Sequence, residues 1–445
     1  MKPRIQLSDH FTYNRLLRFV ISPVLMMICT SLYSIVDGFF VSNFVGKTPF
    51  AAVNLVMPVC MGLGTIGMMI GTGGSAVVSQ ALGEGKREQA NQYFSMLVYF
   101  SIILSILLSA LGFIFARPIS AALGAEDKLL ENCVVYSRLL FVSLTFFVLQ
   151  NIFQSFFVTA EKPSLSLKMS IIAGLANMIF DFLFIAVFHW GIAGAAIATG
   201  IGQLAGGLIP VIYFARKNDS LLRLTKAGFD KRILLKTFGN GSSEMVTNLS
   251  TSLVNILYNF QLMKLAGENG VAAYGIIMYV NFIFMAIFFG YSIGSAPIIG
   301  YHYGAANHAE LKNLFCKSLI LMGGSGFLLA VLAEILTVPL VTLFANYDAD
   351  LFAMTCRGFR LYSLAFSIMG INVWGSAFFT ALGDGFVSAA ISFLRTLLFQ
   401  IIVLLILPVL LGIDGIWLAI TVAELLALLF TITFFAVNRK KYHYA

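Results

Sequence analysis

Two acids stand inside long apolar runs of this sequence. Asp37 is the only charge between Phe19 and Gly46, and Asp181 is the only formal charge between Lys168 and Arg216. Inserting such a side chain at the centre of a hydrocarbon layer costs about 3 kcal/mol unless it is neutralised, paired or faces water, so each marks a functional site by default. Neutral oxygen-bearing side chains accompany them. Tyr33 lies four residues before Asp37 and Asn177 four before Asp181, on the same helical face as their acids, while Thr199 lies on the following run. Acids flanked by neutral oxygens suit a proton relay or a hard cation, and a Na+ site at Asp37, Asn177, Asp181 and Thr199 is one form this would take. The competing reading is an acid buried against polar neighbours to fix helix packing.

The elements that must position these residues are membrane helices. Hydrophobic residues make up 59% of the 445, charged residues 11%, and the mean hydropathy is +0.91, which excludes an ordinary soluble domain. Twelve apolar runs follow one another, the first near 17–44 and the last near 415–437, each long enough to cross a bilayer. The expected fold is an all-α polytopic membrane protein with twelve transmembrane helices. The opening MKPRIQLSDHFTYNRLLRF reads as a retained amphipathic lead-in. Lys and Arg crowd the loops on the side of the termini, with Lys47, Arg117, Lys128, Lys264 and Arg357 on the other, so both termini are expected in the cytoplasm. The net charge of +8 therefore reports orientation and not nucleic acid. Cys29, Cys60, Cys133, Cys316 and Cys356 are scattered without metal or disulfide spacing.

The chain also repeats itself. A shift of 221 places Gly46 on Gly267, Gly83 on Gly304, Pro118 on Pro339, Thr159-Ala160 on Thr380-Ala381 and Gly191-Ile192 on Gly412-Ile413. This predicts two pseudo-symmetric six-helix bundles, residues 1–220 and 221–445, divided by a basic loop at 216–236. Six crossings per unit give both the same orientation, with a cavity between them and alternating access by rocking. A rise of roughly 1.5 Å per residue puts Asp37 about 15 Å, and Asp181 and Thr199 about 12 Å, from the outer ends of their helices. Tyr258 and Ile402 fall opposite Asp37 and Asp181, so the ion chemistry is expected in the first half alone.

Candidates for a substrate cavity are less specific. Glu244, early in the seventh span, is either interfacial or at the cavity mouth. Glu424, opposite Gln203, either attracts a cationic substrate or packs against Arg395. Met61, with Met57, Met68 and Met69, and Met285, with Met278, Phe282 and Phe284, could form an adaptable wall, because Met repacks around different ligands. Trp374, with Asn372 and Phe378, is a weaker candidate of the same kind. For each of these methionine and aromatic residues the favoured reading is core or lipid-facing surface.

Pro23 ahead of SIVDGFFVSNFVG, the glycine-rich IGTGGSAVVSQALGEGK, NMIFD, and WGIAGAAIATGIGQ together resemble the multidrug and toxic compound extrusion (MATE) family, in its bacterial MepA-like and DinF-like branches. The resemblance covers essentially the whole chain. It implies a V-shaped pair of bundles in the bacterial plasma membrane, a monomer, exporting organic cations and drugs against an inward flow of H+ or Na+ without a cofactor. It carries the family's first-lobe site onto Asp37, Asn177, Asp181 and Thr199, with Tyr33 nearby and Gln154 where members place another amide. The seventh and tenth spans read NLSTSLVNIL and FSIMGINVWG, without the acids that some branches carry there. No ATP-binding GxxxxGK[ST] or zinc-binding HExxH occurs. The alternatives are a lipid or lipid-linked oligosaccharide flippase, which would want a cavity rich in Arg or Lys, a passive cation channel, and remotely an intramembrane aspartyl protease pairing Asp181 with Asp384.

Overall fold

The computed structural model describes residues 5–345 and 348–444, and among them all regular structure is helical. The helices are α1 (Tyr13–Phe44), α2 (Lys47–Gly83), α3 (Arg87–Ala122), α4 (Asp127–Thr159), α5 (Pro163–Asp181), α6 (Gly191–Ala215), α7 (Lys231–Gly304), α8 (His308–Ala345), α9 (Ala349–Ser363), α10 (Phe366–Leu382), α11 (Gly385–Phe393), α12 (Phe399–Leu411) and α13 (Ile413–Tyr442). A π-helical turn, Phe182–Val187, continues α5, and a second, Leu394–Leu398, joins α11 to α12.

Local chemistry sets the helix ends. Thr12, Asp230, Asp348 and Asp384 each accept backbone N–H groups of the first turn of α1, α7, α9 and α11. Pro163 opens α5, and Gly383 closes α10 in the left-handed conformation. The cap at Asp230 starts α7 inside the basic stretch, so Lys231–Lys236 is helical and only 216–230 is loop.

The count of crossings needs two adjustments. At roughly 1.5 Å per residue the 74 residues of α7 would reach about 110 Å, several bilayer thicknesses. Gly267 breaks it, with φ 61° and ψ −149°, a conformation open essentially to Gly alone. Helices α9 and α10, bent by 48°, make one crossing together. With ten long apolar helices, α7 counted as two spans and the bent pair as one, the total is twelve. Gly267 is the repeat equivalent of Gly46, which also has positive φ, as do the equivalents Gly191 and Gly412. The repeat therefore extends to backbone conformation.

The halves meet chiefly where α1 and α2 pack on α7. A Cβ on Gly83 would lie 2.0 Å from the Tyr301 carbonyl oxygen, and one on Gly304 would lie 2.2 Å from the Gln80 carbonyl oxygen. Each contact is the other under the shift of 221. The same holds for α2 against the first part of α7, where Gly73 abuts Gly241, and for α1 against the second part, where Gly294 abuts Val20. The interface is thus a pseudo-two-fold one made within a single chain.

Polar ties close the face that carries the termini. Gln80 Nε2 donates to the Ala381 carbonyl (2.8 Å), and Lys236 Nζ donates to Gln80 Oε1 (3.2 Å). The segment before α1 is no surface lead-in. Leu7 and Phe11 are fully buried, and the segment straps the halves together: the Leu7 amide donates to Glu161 (2.7 Å), while the Phe11 amide and His10 both engage Glu310 (2.8 and 2.6 Å).

A Gly304→Val variant meets backbone that no rotamer can avoid, so it should cost about 1–3 kcal/mol. Thermal unfolding in detergent should show a lower midpoint for it. Gly62→Ala, in α2 where an added Cβ meets nothing, should leave the midpoint unchanged or higher. Equal midpoints for Gly304→Val and the parent would show that α2 is not pressed against α7.

Candidate functional site: a buried acid pocket and a central cavity

Five helices of the first half build a pocket of about 100 Å³ that Asp37 lines. α1 supplies Tyr33 and Asp37, α5 supplies Asn177, α6 supplies Thr199 and Gln203, and α2 and α4 close it with Met61, Phe147 and Gln150. Glycines permit the approach. Gly202 on α6 sits against the Ala173 carbonyl and Asn177, which brings Thr199 to α5, and Gly174 receives the ring of Tyr33. Asp181 lies behind Asn177, fully buried, at the residue where α5 passes into its π-helical turn. Such turns often mark functional positions because they shift the register of the side chains beyond them.

Asp37 is 8% exposed, Asp181 0% and Asn177 4%. The carboxyl groups of Asp37 and Asp181 lie against each other with Asn177 beside them. With both acids ionised, Asp37 Oδ1, Asn177 Oδ1, both oxygens of Asp181 and Thr199 Oγ1 have no hydrogen-bond donor. No Lys, Arg or His lines the pocket. Two uncompensated negative charges in a buried site are strongly unfavourable, and a missing positive partner is the simplest resolution. A proton held between the carboxyl groups, or a cation coordinated by these oxygens, would supply it. Among the described residues no three His, Cys, Asp or Glu side chains form a metal cluster, so the donor set is two acids with neutral oxygens.

Gln154 does not join this pocket. It faces the cavity between the halves, and Gln150, one turn earlier on α4, stands beside Tyr33 instead. Their position along α4, roughly 6 Å apart, decides between two amides that share one helical stripe.

The second cavity, about 300 Å³, lies between the halves. Met68, Asn151 and Gln154 line it from the first half, and Glu244, Phe289 and Arg395 from the second. Glu244 is therefore a cavity residue. Met61 lines the acid pocket, and Met285 lines a third pocket within the second half. Trp374 is a core residue, fully buried among Phe315, Phe378 and Phe435 with its indole N–H on Ser295 Oγ (3.3 Å). Glu424 is not free to attract a cation: Arg395 Nη1 donates to one of its oxygens (3.2 Å) and Asn372 Nδ2 to the other (2.7 Å). Sequence reasoning passed over Gln150 and the cavity role of Arg395. Only the polar character of each within an apolar run signalled them.

The family model described as MatE matches residues 23–183 and 245–406, one segment in each half. The chain belongs to the MatE family. It is a membrane transporter and not an enzyme. It is 24% identical to the multidrug export protein MepA of Staphylococcus aureus (strain MSSA476), over 94% of this chain and 92% of that protein. It is 23% identical to the MepA of Staphylococcus saprophyticus over 93% and 91%. Among solved structures, a MATE crystallised with MaL6 superposes with a TM-score of 0.92 at 21% identity, covering 99% of this chain and 100% of that one. An outward-facing multidrug resistance MATE transporter of the MOP superfamily superposes at 0.89 and 21%, over 96% and 95%. These likenesses establish the twelve-helix MATE fold.

For this MatE protein, Asp181→Asn brings a further amide donor next to oxygens that lack a partner and removes one buried charge. In sodium-free buffer at pH 8 its midpoint of thermal unfolding should exceed that of the parent, by the equivalent of about 1–3 kcal/mol for satisfying a buried acceptor. A lower midpoint would show that the parent pair already holds a positive partner.

Proposed function

We propose that this chain is a secondary active multidrug exporter, an antiporter that couples inward H+ or Na+ movement to the efflux of organic compounds by alternating access. The observation that carries this reading is the set of buried oxygens of Asp37, Asn177, Asp181 and Thr199 without hydrogen-bond partners, held in one half and separate from the cavity between the halves. A cation entering the first and a drug in the second are then distinct ligands of one protein, as exchange requires. The names of the staphylococcal relatives support drugs as cargo. Residues 1–220 and 221–445 are the units that rock, with the termini in the cytoplasm of a bacterial cell and the strapped terminal face as the closed inner gate.

The link between the sites runs along α4. Gln150 lines the acid pocket, and Asn151 and Gln154 line the central cavity within little more than one turn. Neutralising the acids lets α1 and α5 close around them, which moves Gln150 and with it the wall of the drug cavity. A cation thereby favours one arrangement of the first half and a drug another.

In proteoliposomes with proton and sodium gradients clamped independently, one of the two gradients should drive export of an ethidium-like cation. Asp37→Asn and Asp181→Asn should each abolish that drive, a loss of at least about 100-fold if coupling is worth some 3 kcal/mol, while the protein still reaches the membrane. Full export in either variant would remove that residue from the scheme, and export indifferent to both gradients would end the antiport reading.

A further inference from the structure

The second half holds a pocket of about 160 Å³ at the place equivalent to the acid pocket. The shift of 221 carries Asp37, Met57, Met61 and Gln203 onto Tyr258, Met278, Phe282 and Glu424, all in its wall. Its chemistry is reversed. Where the first half has Gly174, the second has Arg395, set in the π-helical turn Leu394–Leu398 and only 5% exposed.

Glu424 occupies only part of this guanidinium. It accepts from Arg395 Nη1 (3.2 Å) and from Asn372 Nδ2 (2.7 Å), and Thr431 steadies Asn372 from behind (2.9 Å). Arg395 Nε, on the other edge, is buried with no acceptor. A guanidinium presents five donors in a rigid fork, and a buried donor left unpaired is costly, so the free edge is matched to a planar anion. Arg395 lines both this pocket and the central cavity, so a cargo molecule in either meets its side chain. Glu244, also in the central cavity, lies within electrostatic range of it without forming an ion pair. Aromatic surface surrounds both: Phe282 and Phe289 line both cavities, and the Tyr258 and Tyr274 rings stack at 4.9 Å.

We infer that Arg395 is an anion subsite, and that this transporter takes aromatic zwitterions whose carboxylate docks on the free edge of Arg395 while their positive end faces Glu244. The inference rests on the central cavity being where cargo binds, and among cationic cargo it assigns a preference to compounds that also carry a carboxylate.

The test is equilibrium binding, by fluorescence anisotropy, to the purified full chain in lipid nanodiscs with no ion gradient. The probes are rhodamine B, which keeps its carboxylate, and its ethyl ester, which differs only in losing that charge. The parent protein should bind rhodamine B at least roughly tenfold tighter than the ester, the factor expected for one charge-assisted hydrogen bond. The double variant R395Q/E424Q removes both charges of the ion pair together, and in it the preference should fall below twofold. Should it fail to elute as a monodisperse species, Arg395→Lys keeps the charge, loses the fork and should reduce the preference. Equal or tighter binding of the ester by the parent, binding of neither probe, or a preference undiminished in the variants would overturn the inference. Because no gradient is used, loss of the coupling scheme at Asp37 and Asp181 would leave this result as it stands.

Discussion

Burying negative charge without a partner is the constraint on which this structure turns. Asp181 has no exposure, Asp37 almost none, and the side chains around them offer oxygens and hydrocarbon but no cation. The fold cannot relieve this from within, since no Lys, Arg or His side chain lines that pocket. A proton or small cation taken up from outside would supply the missing charge, and in the proposed scheme its binding and release would change how tightly α1, α5 and α6 hold together.

For such a change to matter beyond the pocket, the halves must have two ways to meet. The glycine contacts at the terminal face supply one of them. Gly83 against Tyr301 and Gly304 against Gln80 are a reciprocal pair, as an isologous dimer interface would have, and backbone meets backbone with no side chain between. Helices that touch this closely have few intermediate spacings available, so the contact is either made or broken. The strap from Leu7 to Phe11, hydrogen-bonded to Glu161 in one half and Glu310 in the other, reinforces the made state.

The two halves share a frame and differ in charge. The frame is shared down to backbone angles at Gly46 and Gly267 and at Gly191 and Gly412. The charges are not shared. Lys162 pairs with Asp219 in one half, and at the corresponding turns Asp384 pairs with Lys441, with the signs exchanged. Outside the spans, burial pushes the Asp384 carboxyl up, but hydrogen bonds from Tyr442, Lys441 and the Val387 amide prevail and hold it below the usual range. Inside the spans the difference is larger: paired acids in the first pocket, an arginine and a glutamate in the second.

Sequence by itself determined what hydrocarbon and turns enforce locally. Twelve crossings, the duplication at a shift of 221, and the cost of Asp37 and Asp181 could all be read from it, because hydropathy, glycine placement and charge are properties of short stretches. Two structural features lay beyond it, the helical rotation about each axis and the pairing of residues far apart in the chain. One turn along α4 decides that Gln150 and not Gln154 stands at the acid pocket, and a π-helical turn decides where Arg395 points. Trp374 was a weak wall candidate until Phe315 and Phe435 were seen around it, and Glu424 read equally as cavity acid or ion-pair partner until Arg395 and Asn372 were found on its oxygens. Such choices are made by packing between helices, and in an almost uniformly apolar sequence the stripes that would forecast that packing are too faint to resolve.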